Sequence, residues 1–497
     1  MILIKDSVVF DGTGRPGQRG DILIKDDKIV AVGNFPNKDA ELVINGLGMS
    51  TTPGFIDVDT DSDHYLSLFS DPAQQDFLLQ GVTTIMGGTC GSSLAPLLYG
   101  TLESIRKWAD PNQINVDWNT VKEFLQALDK KKLGVNFGTL IGHSTIRRAL
   151  LGEDMRDLTA SELDVFVGVV KQSMEEGAFG LSTGLSFNHA KNTPYIEIKM
   201  LTDVVAKYGG VYTTHLRSEK EGIVEAVTET LEIAKESKVK TIISHLRPIL
   251  GYEKQYEQAR ALLEADKAGS SIHFDAYPFD YSLMPVYFLL PDWARRGGTE
   301  KMLEEINEPH HEKELLKELP TFKGDEVRIA RAPGFDYLVG KTLGEYAKNN
   351  ELPPKQALLK LMKETKLKAV VFRRDVNGKL VEESLFSPRA LVASNSPSLI
   401  EEKNILENER ATRTFTKFLT LASARGETEF ARAVNKLTGV PATLLGLANR
   451  GVIREGAVAD LTMLKNNKAV NVLLGGKLAV IDGAMQEGLN GAILRRT

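Results

Sequence analysis

The sequence has a single cysteine, Cys90, and one cysteine cannot form an intramolecular disulfide. It has no apolar run near the roughly 20 residues that a transmembrane helix needs. Its formal net charge is −5 without any basic block, so nothing in it points to nucleic acid. Residues 1–6 are typical of a strand and lack the basic start and the cleavage site of a signal peptide. These absences predict a cytoplasmic protein that binds neither membrane nor nucleic acid.

The length and composition indicate a globular protein with more than one domain. The chain is 42% hydrophobic and 26% charged, which is ordinary for a soluble protein, but its 497 residues exceed one ordinary hydrophobic core. Short strands with tight turns predominate at both ends, in residues 1–52 and 448–497. Because each set is too small to fold alone, we predict that the two ends pair into one composite β-sandwich domain.

Between the two ends, eight short apolar runs alternate with segments that carry apolar residues at helical spacing. The predicted strands are residues 55–58, 83–87, 135–141, 178–182, 211–214, 240–244, 272–276 and 391–394, and the clearest helical segments are 163–176, 222–236 and 254–268. This alternation favours a (β/α)8 barrel over a doubly wound sheet, and we assign residues 53–447 to the barrel.

The seventh and eighth predicted strands lie too far apart to be joined by a bare loop. Residues 300–319, 343–348 and 354–365, which lie between them, have helical patterns. We therefore predict an insertion at residues 285–385 that lies over the barrel mouth. Exposed barrel helices often mediate dimers, so a homo-oligomer stays an open alternative to a monomer.

Polar residues that suit a metal ion follow several of the predicted strands. In barrels of this kind the chemistry occurs at the C-terminal ends of the strands. Cys90 lies beyond the second strand, and His143, His215 and His245 lie directly beyond the third, fifth and sixth. Thiolate and neutral imidazole match the softness of zinc, which makes Cys90, His215 and His245 candidate ligands. A lone histidine is as often a hydrogen-bonded core residue, so both roles stay open for His143, and the other five histidines, His64 among them, are expected to be ordinary residues.

Three carboxylates follow the first predicted strand at a spacing of two. Asp57, Asp59 and Asp61 would share one face if the extended conformation continued through them. Carboxylates at such short spacing repel one another unless a cation, a cluster of donors or a shared proton relieves them. This end of the first strand is therefore a second candidate for chemistry.

Several motifs, in the same order and over nearly the whole chain, resemble the N-acyl-D-amino-acid deacylases (D-aminoacylases) of the amidohydrolase superfamily. The motifs are residues 53–58, 81–84, 90–96, 141–147, 177–185, 212–219, 243–245, 275–278 and 451–461. The resemblance implies a (β/α)8 barrel, a β-sandwich built from both termini, and zinc-dependent hydrolysis of an N-acyl bond. It also implies that Cys90, His215 and His245 hold the tightly bound metal.

The resemblance extends to the residues that bind substrate. Arg247 stands where the family usually has a lysine that helps to hold the substrate carboxylate. Tyr277 begins Tyr-Pro-Phe in place of the family's Tyr-Pro-Tyr, and Ser282 follows as a candidate substrate contact. Phe187 replaces a substrate-binding tyrosine after the fourth strand. The implied substrate is a small molecule that carries a carboxylate.

The chain departs from the family at the second metal position. Asp59 and Asp61 replace the His-x-His motif, and Asn395 replaces the aspartate that serves as general base and metal contact. Asparagine cannot take up a proton at neutral pH, and removal of a positioned general base typically costs roughly 10²–10⁴-fold in rate. The sequence therefore predicts one zinc ion and leaves the second metal doubtful.

Three hypotheses account for these departures. In the first, a hydrolase with one zinc opens a linear or cyclic amide, and Asp59 or Asp61 acts as the base or as an oxygen ligand for a harder cation such as Mg or Mn. In the second, the chain is a degenerate homologue that binds a small acidic ligand or a partner protein. In the third, Asp59 and Asp61 share a proton in a metal-independent acid–base enzyme. We favour the first.

Overall fold

The computed structural model describes residues 1–36, 38–99, 102–106, 108–152, 154–187, 189–266, 271–296, 298–398 and 406–496. Within these ranges, none of the helices is both long and apolar enough to span a membrane. Hydrogen bonding divides the strands among four sheets, two of which together form the barrel.

The strands, in chain order, are β1 (Ile2–Val9), β2 (Gln18–Lys25), β3 (Lys28–Gly33), β4 (Leu42–Asn45), β5 (Ser50–Pro53), β6 (Phe55–Asp57), β7 (Val82–Gly87), β8 (Asn136–Thr139), β9 (Ile141–Gly142), β10 (Gly180–Gly184), β11 (Val211–His215), β12 (Lys240–Ile243), β13 (Ile272–Ala276), β14 (Ser282–Pro285), β15 (Val327–Arg331), β16 (Val370–Arg373), β17 (Ala390–Val392), β18 (Leu461–Lys465), β19 (Lys468–Leu474), β20 (Lys477–Ile481) and β21 (Ala484–Met485).

The helices are α1 (Ser67–Ser70), α2 (Gln75–Leu78), α3 (Val121–Lys131), α4 (His143–Leu151), α5 (Ala160–Glu175), α6 (Tyr195–Lys207), α7 (Ile223–Ser237), α8 (Glu253–Ala265), α9 (Gly298–Asn307), α10 (Glu312–Glu318), α11 (Leu343–Asn349), α12 (Pro354–Glu364), α13 (Gly378–Ser384), α14 (Glu409–Ser423), α15 (Glu427–Leu437) and α16 (Gly439–Leu445).

Parallel strands form the predicted barrel. One parallel sheet has the order β6-β7-β8 and the other the order β9-β10-β11-β12-β13-β17, with β8 and β9 as two pieces of the third barrel strand. The ring closes where the residues after β17 meet those after β6, since Asn395 N donates to Asp59 O at 2.9 Å and Asp61 N donates to Ser396 O at 3.2 Å. The expected (β/α)8 class is confirmed.

Buried aliphatic and aromatic side chains from the barrel strands fill its interior. The cluster includes Ile56, Met86, Val211 and Leu391 from four different strands and Phe179, which directly precedes β10. Because successive strand residues point to opposite faces, the strands present these apolar side chains to the core and end in polar residues at the mouth.

The two ends of the chain meet in one mixed sheet, as the sequence predicts. Its order is β21-β20-β19-β18-β5-β1-β2-β3, and β4 pairs with β1. The join is the antiparallel pair β5–β18, in which Pro53 lies opposite Leu461. The predicted domain limits at residues 52 and 448 stay a prediction.

The segment between β13 and β17 carries a small antiparallel sheet, β14-β16-β15, and the helices α9 to α12. These elements bury a hydrophobic cluster of their own, which includes Val286, Ile306 and Leu358. The single helical stretch predicted at 300–319 is two helices, because Pro309 begins a separate 3₁₀ turn between α9 and α10. The predicted helix 254–268 ends at Ala265, and its last two residues lie outside the described residues.

Candidate active site

The loops that leave three barrel strands bring a thiol and two imidazoles together. One ligand atom from each of Cys90, His215 and His245 lies within 4.8 Å of the other two. Cys90 Sγ is 3.4 Å from His245 Nε2, and the two imidazole rings are 4.4 Å apart at a 74° angle. This is the one such group within the described ranges. A thiolate with two imidazoles is a zinc donor set that leaves a fourth tetrahedral position open, so these residues fit the predicted metal.

Strained backbone conformations hold three of the residues at the mouth. Cys90, His245 and Asn395 have φ angles of 50°, 38° and 46°, in the left-handed region that side chains with a Cβ rarely adopt. Such a conformation costs about 1–3 kcal/mol and persists only where the surroundings enforce it. Asp275 enforces it at His245, because Asp275 Oδ1 accepts a 2.7 Å hydrogen bond from the His245 backbone N–H.

A carboxylate that the sequence does not single out lies beside the metal cluster. Glu219 Oε1 accepts hydrogen bonds from His245 Nδ1 at 3.2 Å and from Arg247 Nη2 at 3.1 Å. Glu219 Oε2 lies 3.8 Å from His215 Nε2, which is also 2.7 Å from Ser186 Oγ. Glu219 follows His215 by four residues in the loop before α7 and ends the 212–219 motif, but neither fact assigns it a role.

Arg247 and its neighbours form an anion-binding group next to Glu219. Arg247 Nη1 donates to Tyr277 Oη at 2.7 Å and to Ser282 Oγ at 2.6 Å. Ser282 lies on β14, so the insertion between β13 and β17 contributes to this group, and its hydroxyl donates to Asp375 Oδ1 at 2.7 Å. Burial alone would lower the pKa of Arg247, but Tyr277, Glu219 and Asp375 raise it, so the guanidinium stays charged.

The three aspartates after β6 have three different environments. β6 ends at Asp57, whose carboxylate accepts hydrogen bonds from the backbone N–H groups of Asp59 and Ser394 and therefore holds the barrel seam rather than lining the mouth. Burial raises the pKa of Asp57 to about 8. The strand does not continue as far as Asp61, so the predicted common face does not form.

Asp59 is a buried carboxylate at the mouth. It is 1% exposed, and the side chains of Thr89 and Asn395 lie beside its carboxylate. Burial raises its pKa and the negative charge of Asp61 adds to that change, whereas hydrogen bonds from Thr89 and Asn395 oppose it. Asp59 is therefore closer to the neutral range than an ordinary aspartate, which suits a group that takes up a proton.

Asp61 instead pairs with His64. Asp61 Oδ1 lies 2.9 Å from His64 Nδ1, and the other ring nitrogen of His64 lies 2.9 Å from the carbonyl oxygen of Ser92. Both oxygens can only accept, so both ring nitrogens carry protons and His64 is an imidazolium. Burial alone would lower the pKa of His64, but Asp63 and Asp61 raise it to about 9. The His64 ring also stacks on Trp108 at 4.1 Å.

Asn395 faces a buried guanidinium. Arg410, on α14, donates from Nη2 to Asn395 Oδ1 at 2.8 Å and from Nε to Ser394 O at 3.1 Å. The guanidinium carbon lies 4.1 Å from the centroid of the Tyr277 ring. Nothing in the spacing of Arg410 along the chain marks it as part of the mouth.

Comparisons with known proteins find similar deacylases. No family model matches the chain. The sequence is 28% identical over 474 residues to D-aminoacylase of Alcaligenes xylosoxydans xylosoxydans, and the match covers 93% of this chain and 87% of the relative. It is 27% identical to N-acyl-D-aspartate deacylase of the same organism, with 93% and 85% covered. Over nearly its whole length the chain is similar to the N-acyl-D-amino-acid deacylases.

Solved structures of that group share the whole architecture. The crystal structure of a D-aminoacylase, described as defining a novel subset of amidohydrolases, superposes with a TM-score of 0.81 at 25% identity and covers 100% of this chain and 99% of the other. A second D-aminoacylase structure, described by its binuclear metal centre with one-metal activation and second-metal attenuation, has the same score, identity and coverage. The predicted resemblance and the predicted class, a hydrolase acting on carbon–nitrogen bonds other than peptide bonds, are confirmed.

Of two further residues in the sequence prediction, Phe187 lies beside the metal cluster and His143 does not belong to it. The Phe187 ring lies 5.1 Å from the His215 ring, so it forms an apolar wall directly beside a candidate ligand. His143, for which two roles were open, begins α4 and is buried with its Nε2 2.8 Å from Glu197 Oε1. Arg147 Nε also donates to that oxygen, at 3.1 Å. This arrangement is a structural ion network, and His143 is not part of the metal group.

Proposed function

We propose that the chain hydrolyses an N-acyl-D-amino acid, or a related linear or cyclic amide, with a single zinc ion at Cys90, His215 and His245. The observation that carries the proposal is the approach of their three ligand atoms to within 4.8 Å of one another. The relatives named above are deacylases of N-acyl-D-amino acids, which supports the reaction class and the D configuration of the substrate. A zinc ion bound there would polarise the acyl carbonyl and lower the pKa of a bound water.

The charges at the second metal position support the use of one ion. Asp61 is engaged by the His64 imidazolium, and Asn395 is engaged by the Arg410 guanidinium. Two internal cations therefore lie where a second metal ion would add further positive charge, and repulsion between them and the ion would weaken its binding. The D-aminoacylase whose structure is described by one-metal activation provides a parallel in a relative.

Asp59 is the residue that we assign as general base. It is buried at the mouth, and burial raises its pKa. It lies close to His245, one of the candidate zinc ligands. Asp61 is less suited to the role, because its hydrogen bond to His64 lowers its pKa and favours the ionised, paired form.

Arg247 would hold the carboxylate of the substrate. Its guanidinium stays charged, and Tyr277 and Ser282 fix the position of Nη1 by accepting hydrogen bonds from it. The Nε–H of Arg247 is buried without a hydrogen-bond acceptor among the described residues, so a donor is left for a ligand. Nε would donate one charge-assisted hydrogen bond to a carboxylate oxygen, and the positive charge of the guanidinium would attract the carboxylate as a whole. Phe187 would line the same space with an apolar face.

The test is the metal content of the purified protein after expression in zinc-supplemented medium, for wild type and for Cys90→Ala. His310→Ala is the matched control, because His310 is an exposed histidine outside the mouth. We expect about one zinc per chain in the wild type and the control and none in Cys90→Ala, with hydrolysis of N-acetyl-D-amino acids lost in parallel. Two ions per chain would contradict the single-metal mechanism. No ion would contradict the hydrolase proposal and favour a homologue that only binds a ligand.

A further inference from the structure

Glu219 connects the metal cluster to the anion-binding group. A single oxygen, Oε1, accepts from His245 Nδ1 at 3.2 Å and from Arg247 Nη2 at 3.1 Å, and Oε2 accepts from the same Arg247 nitrogen at 3.2 Å. The side chain of Glu219 is 23% exposed, whereas those of His245 and Arg247 are 5% and 11% exposed. Two largely buried side chains with different proposed tasks therefore share one carboxylate.

The contact with Glu219 determines which nitrogen of His245 can bind a metal. A carboxylate only accepts hydrogen bonds, so the nitrogen that faces it, Nδ1, must carry the proton. The lone pair of the neutral ring is then on Nε2, and Nε2 is the atom that lies 3.4 Å from Cys90 Sγ. Glu219 thus orients the ring and selects the tautomer that points its free electron pair towards the thiol.

The contact with Arg247 has a separate consequence. A buried guanidinium without a counter-ion is costly. Glu219 is the counter-ion here, and it accepts two hydrogen bonds from Arg247 Nη2. Because Nη2 is held by Glu219 while Nη1 is held by Tyr277 and Ser282, the guanidinium is fixed at both ends. A fixed guanidinium loses less entropy when a carboxylate binds to it.

We propose that Glu219 is a positioning residue that sets the zinc affinity through His245 and the binding of the substrate carboxylate through Arg247. This inference rests on the proposed function, since it requires zinc at the Cys90 cluster. Loss of a carboxylate that supports a metal-binding histidine typically lowers metal affinity about 10–100-fold. Loss of the counter-ion to Arg247 weakens substrate binding without removing any group that touches the reacting bond.

The experiment compares Glu219→Gln with Glu221→Gln. Glu221 is on the same loop and exposed, and it accepts a hydrogen bond from Tyr252 Oη at 2.6 Å, so it controls for loss of one carboxylate nearby. The dissociation constant for Zn²⁺ alone is measured by competition with a chromophoric chelator, which requires no activity. We expect a rise of about 10–100-fold in Glu219→Gln and less than about threefold in Glu221→Gln.

A second readout separates the two contacts. At saturating zinc, we expect Glu219→Gln to raise KM for an N-acetyl-D-amino acid about tenfold or more while kcat changes less. Glu219→Asp retains the charge on a shorter side chain and should give a zinc affinity between those of wild type and Glu219→Gln. If Glu219→Gln does not fold, Glu219→Asp is compared with Glu221→Asp, and a rise of severalfold in the zinc dissociation constant is expected for the first alone.

The outcomes distinguish this inference from the function on which it rests. Wild type that binds zinc, together with a Glu219→Gln variant that binds it as tightly as Glu221→Gln does, would overturn the role of Glu219 and leave the hydrolase proposal standing. Wild type that binds no zinc would overturn both. A loss of zinc affinity with unchanged KM would overturn the Arg247 part of the inference.

Discussion

Arg410 Nη2 donates a 2.8 Å hydrogen bond to the side-chain oxygen of Asn395. Arg410 is buried, and its guanidinium also packs 4.1 Å from the centroid of the Tyr277 ring. Asn395, which the sequence prediction puts in place of a catalytic aspartate, is therefore held by Arg410 rather than free. It is one half of an amide–guanidinium pair.

This pair predicts that Asn395→Asp will not introduce a working general base. The new carboxylate would form a buried ion pair with Arg410, which would hold its pKa well below neutral, and an ionised, paired carboxylate is a poor proton acceptor. We expect kcat/KM to stay within about tenfold of wild type, whereas an effective added base would contribute roughly 10²–10⁴-fold. Steady-state kinetics on an N-acetyl-D-amino acid tests this. A hundredfold rise in kcat/KM would show that a carboxylate at position 395 can act as a general base.

Asp59 and Asp61 should respond differently to the same substitution. Asp59→Asn removes the proposed base, and we expect kcat to fall about 10²–10⁴-fold with zinc content unchanged. Asp61→Asn removes a partner of the His64 imidazolium, so we expect a lower free energy of unfolding and a smaller change in kcat. Equal losses of kcat in both variants, at equal zinc content, would contradict the assignment of the base to Asp59.

Arg247 should determine KM for substrates that carry a carboxylate. Arg247→Met removes a charge-assisted contact of about 2–3 kcal/mol, so we expect KM to rise roughly 30–150-fold. Arg247→Lys keeps the charge but not the planar donors and should raise KM by less. The control is the same substrate with its carboxylate capped as an amide, for which wild type and variants should have similar KM values. A KM that does not change in Arg247→Met would place the carboxylate elsewhere.

His64 should make stability depend on pH in the alkaline range. Its pKa is raised from 6.5 to about 9 in the folded protein by Asp63 and Asp61, which outweigh the opposite effect of burial. A raised histidine pKa stabilises the fold fully below about pH 6.5, and this contribution is lost as the pH rises through about 9. At about 1.4 kcal/mol per pKa unit, the contribution is on the order of 3 kcal/mol.

The measurement for His64 is urea unfolding of wild type and His64→Asn at several values of pH. The difference in the free energy of unfolding between the two proteins should be largest near pH 6 and should shrink as the pH approaches 9. Asp57, whose pKa is raised to about 8, titrates in the same range but is present in both proteins. A difference that does not vary with pH would show that His64 is neutral in the folded state.

Local pattern was enough to predict the barrel strands. The predicted and observed strands agree within a residue or two at most ends, as in 272–276 against Ile272–Ala276 and 240–244 against Lys240–Ile243. Short apolar runs that alternate with helical spacing specify strands and helices independently of distant residues. The helical stretch at 300–319 was less well predicted, although Pro309, at which it breaks, is itself a local signal that interrupts a helix.

The sequence by itself determined that Cys90, His215 and His245 would meet, since each follows a strand and the strands of a barrel all end at one rim. Only the tertiary structure decided the partners of these and neighbouring residues. Arg410 reaches Asn395 from another helix, and Asp375 reaches Ser282 from the far end of the insertion. Polar side chains can pair across any separation along the chain, so no spacing rule in the sequence predicts these pairs. For the same reason the role of Asp61, which depends on His64 and its surroundings, could be assigned only after folding placed them together.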